Sequence, residues 1–188
     1  RLKDMRFDVI VSSPYFRSTQ TARYIAKYAG MKYHIEPGLS EFLSKVNRRG
    51  VPEFDPARLE DKYYDANYTP VCEAVVLETW SGIVERVYRT AVELTRRYKR
   101  VCFVTHRSTT QAFLSKILGE IIKDNFQFTS VCYFEPHGDA FVATRMDSHF
   151  HLKTFVETPL HNPNYAKNPY KDMIRGPDGN ILPSNYIG

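Results

Sequence analysis

Cysteine is scarce in this 188-residue chain, and its three thiols, Cys72, Cys102 and Cys132, stand far apart. That spacing excludes a disulfide framework and a CxxC-type metal knuckle. Two of them fall in β-like runs, where cysteine behaves as a small apolar residue. Long apolar stretches are lacking as well. A bilayer-crossing helix needs about 20 apolar residues, whereas runs such as Val101-Cys102-Phe103-Val104 are strand-sized. The charged Arg1 to Asp4 is followed by no long apolar stretch, so a secretory leader is not expected. A reducing, cytoplasmic setting is the expectation. There is no Walker loop, no GxGxxG, no heptad run and no internal repeat, which leaves nothing to support a P-loop enzyme, a dinucleotide fold or a coiled coil.

What is present is the profile of one globular domain with at most an appendage: 43% hydrophobic and 25% charged residues. The net charge of +5 is a moderate basic bias that would suit an anionic partner. Its placement decides more than its sum. Arg48-Arg49, Arg96-Arg97 and Lys99-Arg100 are scattered pairs, and no block of five or six cations reads as a nucleic-acid arm. Interleaved aromatics and cations can bind single strands, but these aromatics suit strand and helix-face positions in a core. His149-Phe150-His151 puts two imidazoles on one strand face without a third metal ligand, so no metal site is expected. Asn67-Tyr68-Thr69 matches a glycosylation sequon, discounted for want of a secretory signal.

Phe7 to Val11 reads as a buried strand, already under way a few residues into the chain, which has no initiator Met. The expectation is that further polypeptide precedes Arg1. Ser13 is placed to N-cap a helix with Pro14 at its first position; Ala22, Ile25, Ala26 and Ala29 share its face, and Gly30 stops it. Lys32 to Ile35 reads as a short strand and Glu36-Pro37-Gly38 as a turn. Residues 43–79 form a long excursion with short helical pieces, the kind of segment that often covers a functional site. Trp80, Ile83, Val84, Val87, Ala91, Leu94 and Tyr98 repeat at helical spacing. Val101 to Thr105 is the next buried strand, and His106-Arg107-Ser108 leads into a helix carrying Ala112, Phe113, Ile117 and Leu118, stopped near Gly119. Ser130 to Phe134 and Ala140 to Arg145 flank a hairpin turn, and Leu152 to Val156 is a candidate last strand.

This order is α/β with a mainly parallel sheet. Ligands collect at the C-terminal ends of the strands in such sheets, which singles out Ser12 to Arg17 and Thr105 to Ser108. Each turn sets a cationic or titratable side chain beside a helix N-terminus, a ready anion site.

The residues in these turns resemble the histidine phosphatase (phosphoglycerate-mutase-like) superfamily. The resemblance runs from Phe7 to about Phe155 and rests on three motifs in order. They are Val11-Ser12-Ser13-Pro14-Tyr15-Phe16-Arg17-Ser18-Thr19-Gln20-Thr21-Ala22, Glu36-Pro37-Gly38-Leu39-Ser40-Glu41-Phe42, and Phe103-Val104-Thr105-His106. The segment between Glu41 and Trp80 and the hairpin after Gly119 look closest to the branch of suppressors of T-cell receptor signalling and insect ecdysteroid-phosphate phosphatases. The resemblance implies a three-layer fold with helices on both faces of the sheet, its first strand absent from these residues, over a domain spanning 1–157. It implies phosphomonoester hydrolysis with no metal or organic cofactor. Arg17 would present its planar fork to phosphoryl oxygens. His106 would stabilise developing charge on the transferred group. Glu41 would be the general acid, later activating water.

Two departures stand out. The family nucleophile is a His in an Arg-His-Gly motif, and no such motif occurs in the 188 residues. It is expected upstream of Arg1; otherwise the protein is a pseudophosphatase, serving as a scaffold or a reader of phospho-ligands. Arg107 stands where the family commonly has a small residue, either crowding the pocket or adding a phosphate contact. The expected partner is a phosphorylated small molecule or a phosphoprotein, with neither membrane nor nucleic acid involved. Residues 158–188 form a Pro- and Asn-rich tail that cannot hold a helix yet carries Leu160, Tyr165, Tyr170, Met173, Ile174, Ile181, Leu182, Tyr186 and Ile187. It is expected to dock these on its own domain, in a homodimer or on a protein partner.

Overall fold

A computed structural model describes residues 2, 5–42, 55, 61–122, 126 and 129–148. The chain divides into two compact units, Arg1–Lys116 and Ile117–Gly188. The pair His149 and His151, the candidate strand Leu152 to Val156 and the tail from Thr158 lie outside the described residues.

In the first unit, β1 (Val9–Ser12) is the centre of a three-stranded parallel sheet, flanked by β2 (His34–Ile35) and β3 (Val101–Val104). Val9 to Ser12 register against Val101 to Val104 on one side, and Val11 and Ser12 against His34 and Ile35 on the other. A strand without polar alternation needs both faces covered, and all four residues of β1 are buried. Ile10 packs with Ala22 and Ala26 of α1 (Phe16–Ala29), whose small side chains let the helix approach closely. Val9 and Val11 pack on the other side with Leu39 and with Leu94 of α2 (Trp80–Arg97). The helices therefore sandwich the sheet, an α/β arrangement in layers. Each fully buried branched side chain contributes about 1.5–3 kcal/mol.

α1 ends where Gly30 adopts φ 67° and returns its N–H to the Ala26 carbonyl. Its start differs from the sequence expectation. Tyr15, not Ser13, occupies the N-cap position, with no side-chain cap. Ser13 instead extends the sheet, its N–H donating to the Val104 carbonyl at 2.9 Å, and its hydroxyl is used elsewhere. α2 is capped as its sequence allows, Thr79 Oγ1 accepting from the Gly82 N–H at 3.1 Å.

The described part of the long excursion, residues 61–79, holds turns and a Tyr33–Tyr64 bridge but no helix. Part of this segment is tied to a buried carboxylate instead. Glu36 accepts from the N–H groups of Gly38, Val71 and Cys72 and from the Tyr68 hydroxyl, at 2.6–3.2 Å. Those backbone donors are spent on a side chain, not on a helical carbonyl. α3 (Arg107–Leu118) follows β3. In the second unit, β4 (Val131–His137) and β5 (Ala140–Ser148) form an antiparallel hairpin that turns at Gly138, φ 64°. The strands run further toward the turn than their alternation implies, with Pro136 opposite Phe141. Among the described residues, no helix is long and apolar enough to cross a membrane.

Candidate active site

Each of the three strands of the first sheet is followed, beyond its C-terminal end, by one of the expected site residues. Arg17 follows β1, Glu41 follows β2 by way of the 3₁₀ turn Pro37–Leu39, and His106 follows β3. Because the strands are parallel and adjacent, their C-terminal ends lie side by side, and residues distant in sequence meet.

The meeting is direct. Arg17 Nη2 lies 3.0 Å from His106 Nδ1, and the same nitrogen pairs with Glu41 Oε2. His106 is 7% exposed. Its Nε2 lies 2.8 Å from the Ser13 hydroxyl and 3.5 Å from that of Ser18. Since Arg17 can only donate, Nδ1 must accept, which leaves the ring proton of the neutral imidazole on Nε2, facing Ser13. Burial and the charges of Arg17 and Arg86 push the His106 pKa down to about 3. The imidazole is therefore neutral at ordinary pH, a hydrogen-bond donor through Nε2–H. Tyr15 meets its ring edge-on at 4.9 Å and lies 4.7 Å beneath the Arg17 guanidinium.

Arg17, though partnered, stays open to solvent, with its side chain 56% exposed; that of Glu41 is 34% exposed. A ligand can thus reach a cationic fork and a carboxylate, with a buried neutral imidazole directly behind the fork. The set can bind an oxyanion at Arg17 and exchange a proton at Glu41. Arg107 is not brought into it. It opens α3 as an exposed residue, and no hydrogen bond or ion pair joins it to Arg17 or His106 among the described residues.

Several participants gave little local sign. Ser13 reads as a helix N-cap, and Tyr15 carries no reading of its own in the sequence. Arg86 lies on the apolar face of α2, between Ile83 and Val87, and is buried against Glu78 with N–O distances of 2.5 and 3.0 Å. A cation on an otherwise apolar helix face was its one available signal. Among the described residues, no group of three or more His, Cys, Asp or Glu side chains is placed to hold a metal ion.

Residues 1–149 match the histidine phosphatase superfamily (branch 1). The chain belongs to that superfamily. Similar solved structures include the ecdysone phosphate phosphatase EPPase from Bombix mori, determined in complex with tungstate. The two are 19% identical, with a TM-score of 0.54 over 88% of this chain and 73% of that one. At that identity the likeness concerns the fold. No curated protein matches the chain. As a histidine phosphatase superfamily member, the chain is a phosphatase-type domain with its sequence motifs gathered at one end of its parallel sheet.

Proposed function

We propose that this domain supplies the phosphoryl site of a phosphomonoester hydrolase of the histidine phosphatase type. The observation that carries the reading is the convergence of Arg17, Glu41 and His106 from three neighbouring strand ends. In this reading Arg17 exchanges its bonds to Glu41 and His106 for two phosphoryl oxygens, the bidentate geometry its fork favours. Glu41, displaced but still beside the leaving oxygen, gives it a proton. His106 keeps Nε2–H on the Ser13 hydroxyl, while its Nδ1, released by Arg17, faces the phosphoryl group and, once protonated, donates toward the charge developing there. The incoming dianion also offsets the Arg17 charge, so phosphate binding favours protonation of His106.

The covalent step of the family needs a nucleophilic histidine in an Arg-His-Gly motif, which the 188 residues do not contain. A second reading is a phospho-ligand binding module without turnover. Hydrolysis of p-nitrophenyl phosphate by the natural polypeptide separates the two. The hydrolase reading expects activity that collapses in Arg17→Ala and His106→Ala. Phosphate binding with no turnover supports the binding module. Full activity in both variants overturns the site assignment.

A further inference from the structure

The turn before Glu41 is held in an unusual way, because three consecutive backbone carbonyls accept from side chains. The Gly38 carbonyl accepts from Arg86 Nη1 at 2.7 Å, and the Ser40 carbonyl from the same nitrogen at 3.1 Å. The Leu39 carbonyl accepts from Thr105 Oγ1 at 2.8 Å, and Thr109 Oγ1 donates to the Ser40 carbonyl at 3.3 Å. On the far side of Glu41, the Phe42 N–H donates to Ser108 Oγ at 3.3 Å.

We infer that Arg86 is a positioning residue for Glu41, acting with Thr105 and Thr109 through the backbone of the turn at 38–40. The inference rests on reading Arg17, Glu41 and His106 as a phosphoryl site, and adds what sets the place of the acid within it. Two features of the cradle are specific to positioning. First, Thr105 and Thr109 flank His106 in sequence, so the residues that carry the imidazole also grip the turn that carries the carboxylate. Second, Arg86 is 3% exposed and its fork is divided. Nε and Nη2 engage Glu78, which orients the plane, and Nη1 is left aimed at the two carbonyls. A buried ion pair is a poor source of stability, because desolvation offsets much of its attraction. Its use here is geometric: a planar fork fixed at one edge presents donors in a defined direction at the other. Lysine keeps the charge and cannot do this.

Glu41 and a bound phosphate compete for Arg17, and this competition gives a readout that a merely structural role does not move. Inorganic phosphate affinity is measured by calorimetry at constant ionic strength for Arg86→Lys and for the near-isosteric pair Thr105→Val with Thr109→Val. Each is made in the native and in the Glu41→Gln background. Loosening the turn should release Arg17 from Glu41 and tighten phosphate binding about threefold or more in the native background. With Glu41→Gln present, the same changes should alter affinity by less than about 1.5-fold, because their route through the carboxylate is gone. Equal effects in the two backgrounds, or weakening in both, overturn the inference. If Arg86→Lys does not fold, the threonine pair decides. If no variant and not even the native protein binds phosphate, the phosphoryl-site reading fails. The positioning role is then judged from the crystal structure of a folded variant. A Glu41 carboxylate displaced from Arg17 upholds it, and one still paired there overturns it.

Discussion

Arg17 and His106 stand 89 residues apart in the chain, yet Nη2 of one lies 3.0 Å from Nδ1 of the other. A guanidinium beside an imidazole is tolerable only while the imidazole is neutral. The pair therefore links the site to pH.

Stability should reflect that link. An unfolded histidine titrates near 6.5, whereas in the fold burial and the Arg17 and Arg86 charges lower His106 to about 3. The unfolded chain then binds more protons between these values, so the His106 contribution is complete above about pH 6.5 and is lost as pH falls toward about 3. Burial lowers the pKa of His34 as well, adding in the same direction. Urea unfolding of the native protein and of His106→Gln, from pH 7 to pH 4, isolates the group. The native protein should lose up to about 1.4 kcal/mol more per pH unit than the variant. Parallel slopes would argue against a neutral, buried imidazole.

Glu36 should matter more to folding than to chemistry. Each of its oxygens receives two donors, Gly38 and Cys72 N–H on Oε1, and Val71 N–H and the Tyr68 hydroxyl on Oε2. Glu36→Gln turns one oxygen into an amide that faces two donors. The cost should be about 3 kcal/mol, measured by chemical denaturation, with greater protease susceptibility at 61–79. A loss below about 0.5 kcal/mol would mean the carboxylate does not organise that segment.

Gly38 is required for space, not for backbone freedom. A Cβ there would lie 2.3 Å from Thr90 Oγ1, 2.9 Å from Cys72 Cβ and 3.0 Å from Glu36 Oε1. Gly38→Ala should destabilise by roughly 1–3 kcal/mol. Thr90→Ala removes the nearest of these atoms and should recover part of that loss in the double variant. An additive double variant would show that the contact at Thr90 is not the cause.

What was legible in the sequence was whatever repeats or sits at a strand end. The uninterrupted apolar run Val9 to Val11 foretold a strand buried on both faces, and the Ile83, Val87, Ala91, Leu94 spacing foretold α2. The motifs around Arg17, Glu41 and His106 pointed to the turns that the parallel sheet brings together. What escaped was polar and long-range. The four bonds to Glu36 span 2 to 36 residues, and Arg86 reaches 46 and 48 residues back to Ser40 and Gly38. Such contacts leave no periodic trace, because they depend on which strand ends become neighbours. The start of α1 was misplaced for the same reason. Ser13 has the chemistry of a cap, but its hydroxyl faces His106, a partner 93 residues away.

The central claim is that Arg17, Glu41 and His106 form an anion site, and phosphate-dependent thermal protection tests it most directly. Thermal unfolding is followed with increasing inorganic phosphate, sodium chloride holding ionic strength constant. Binding to the folded state alone should stabilise it by about 2.7 kcal/mol at 100 times the dissociation constant, giving a rise in Tm that Arg17→Ala abolishes. A Tm that does not respond to phosphate, or one that rises equally in Arg17→Ala, would contradict the account.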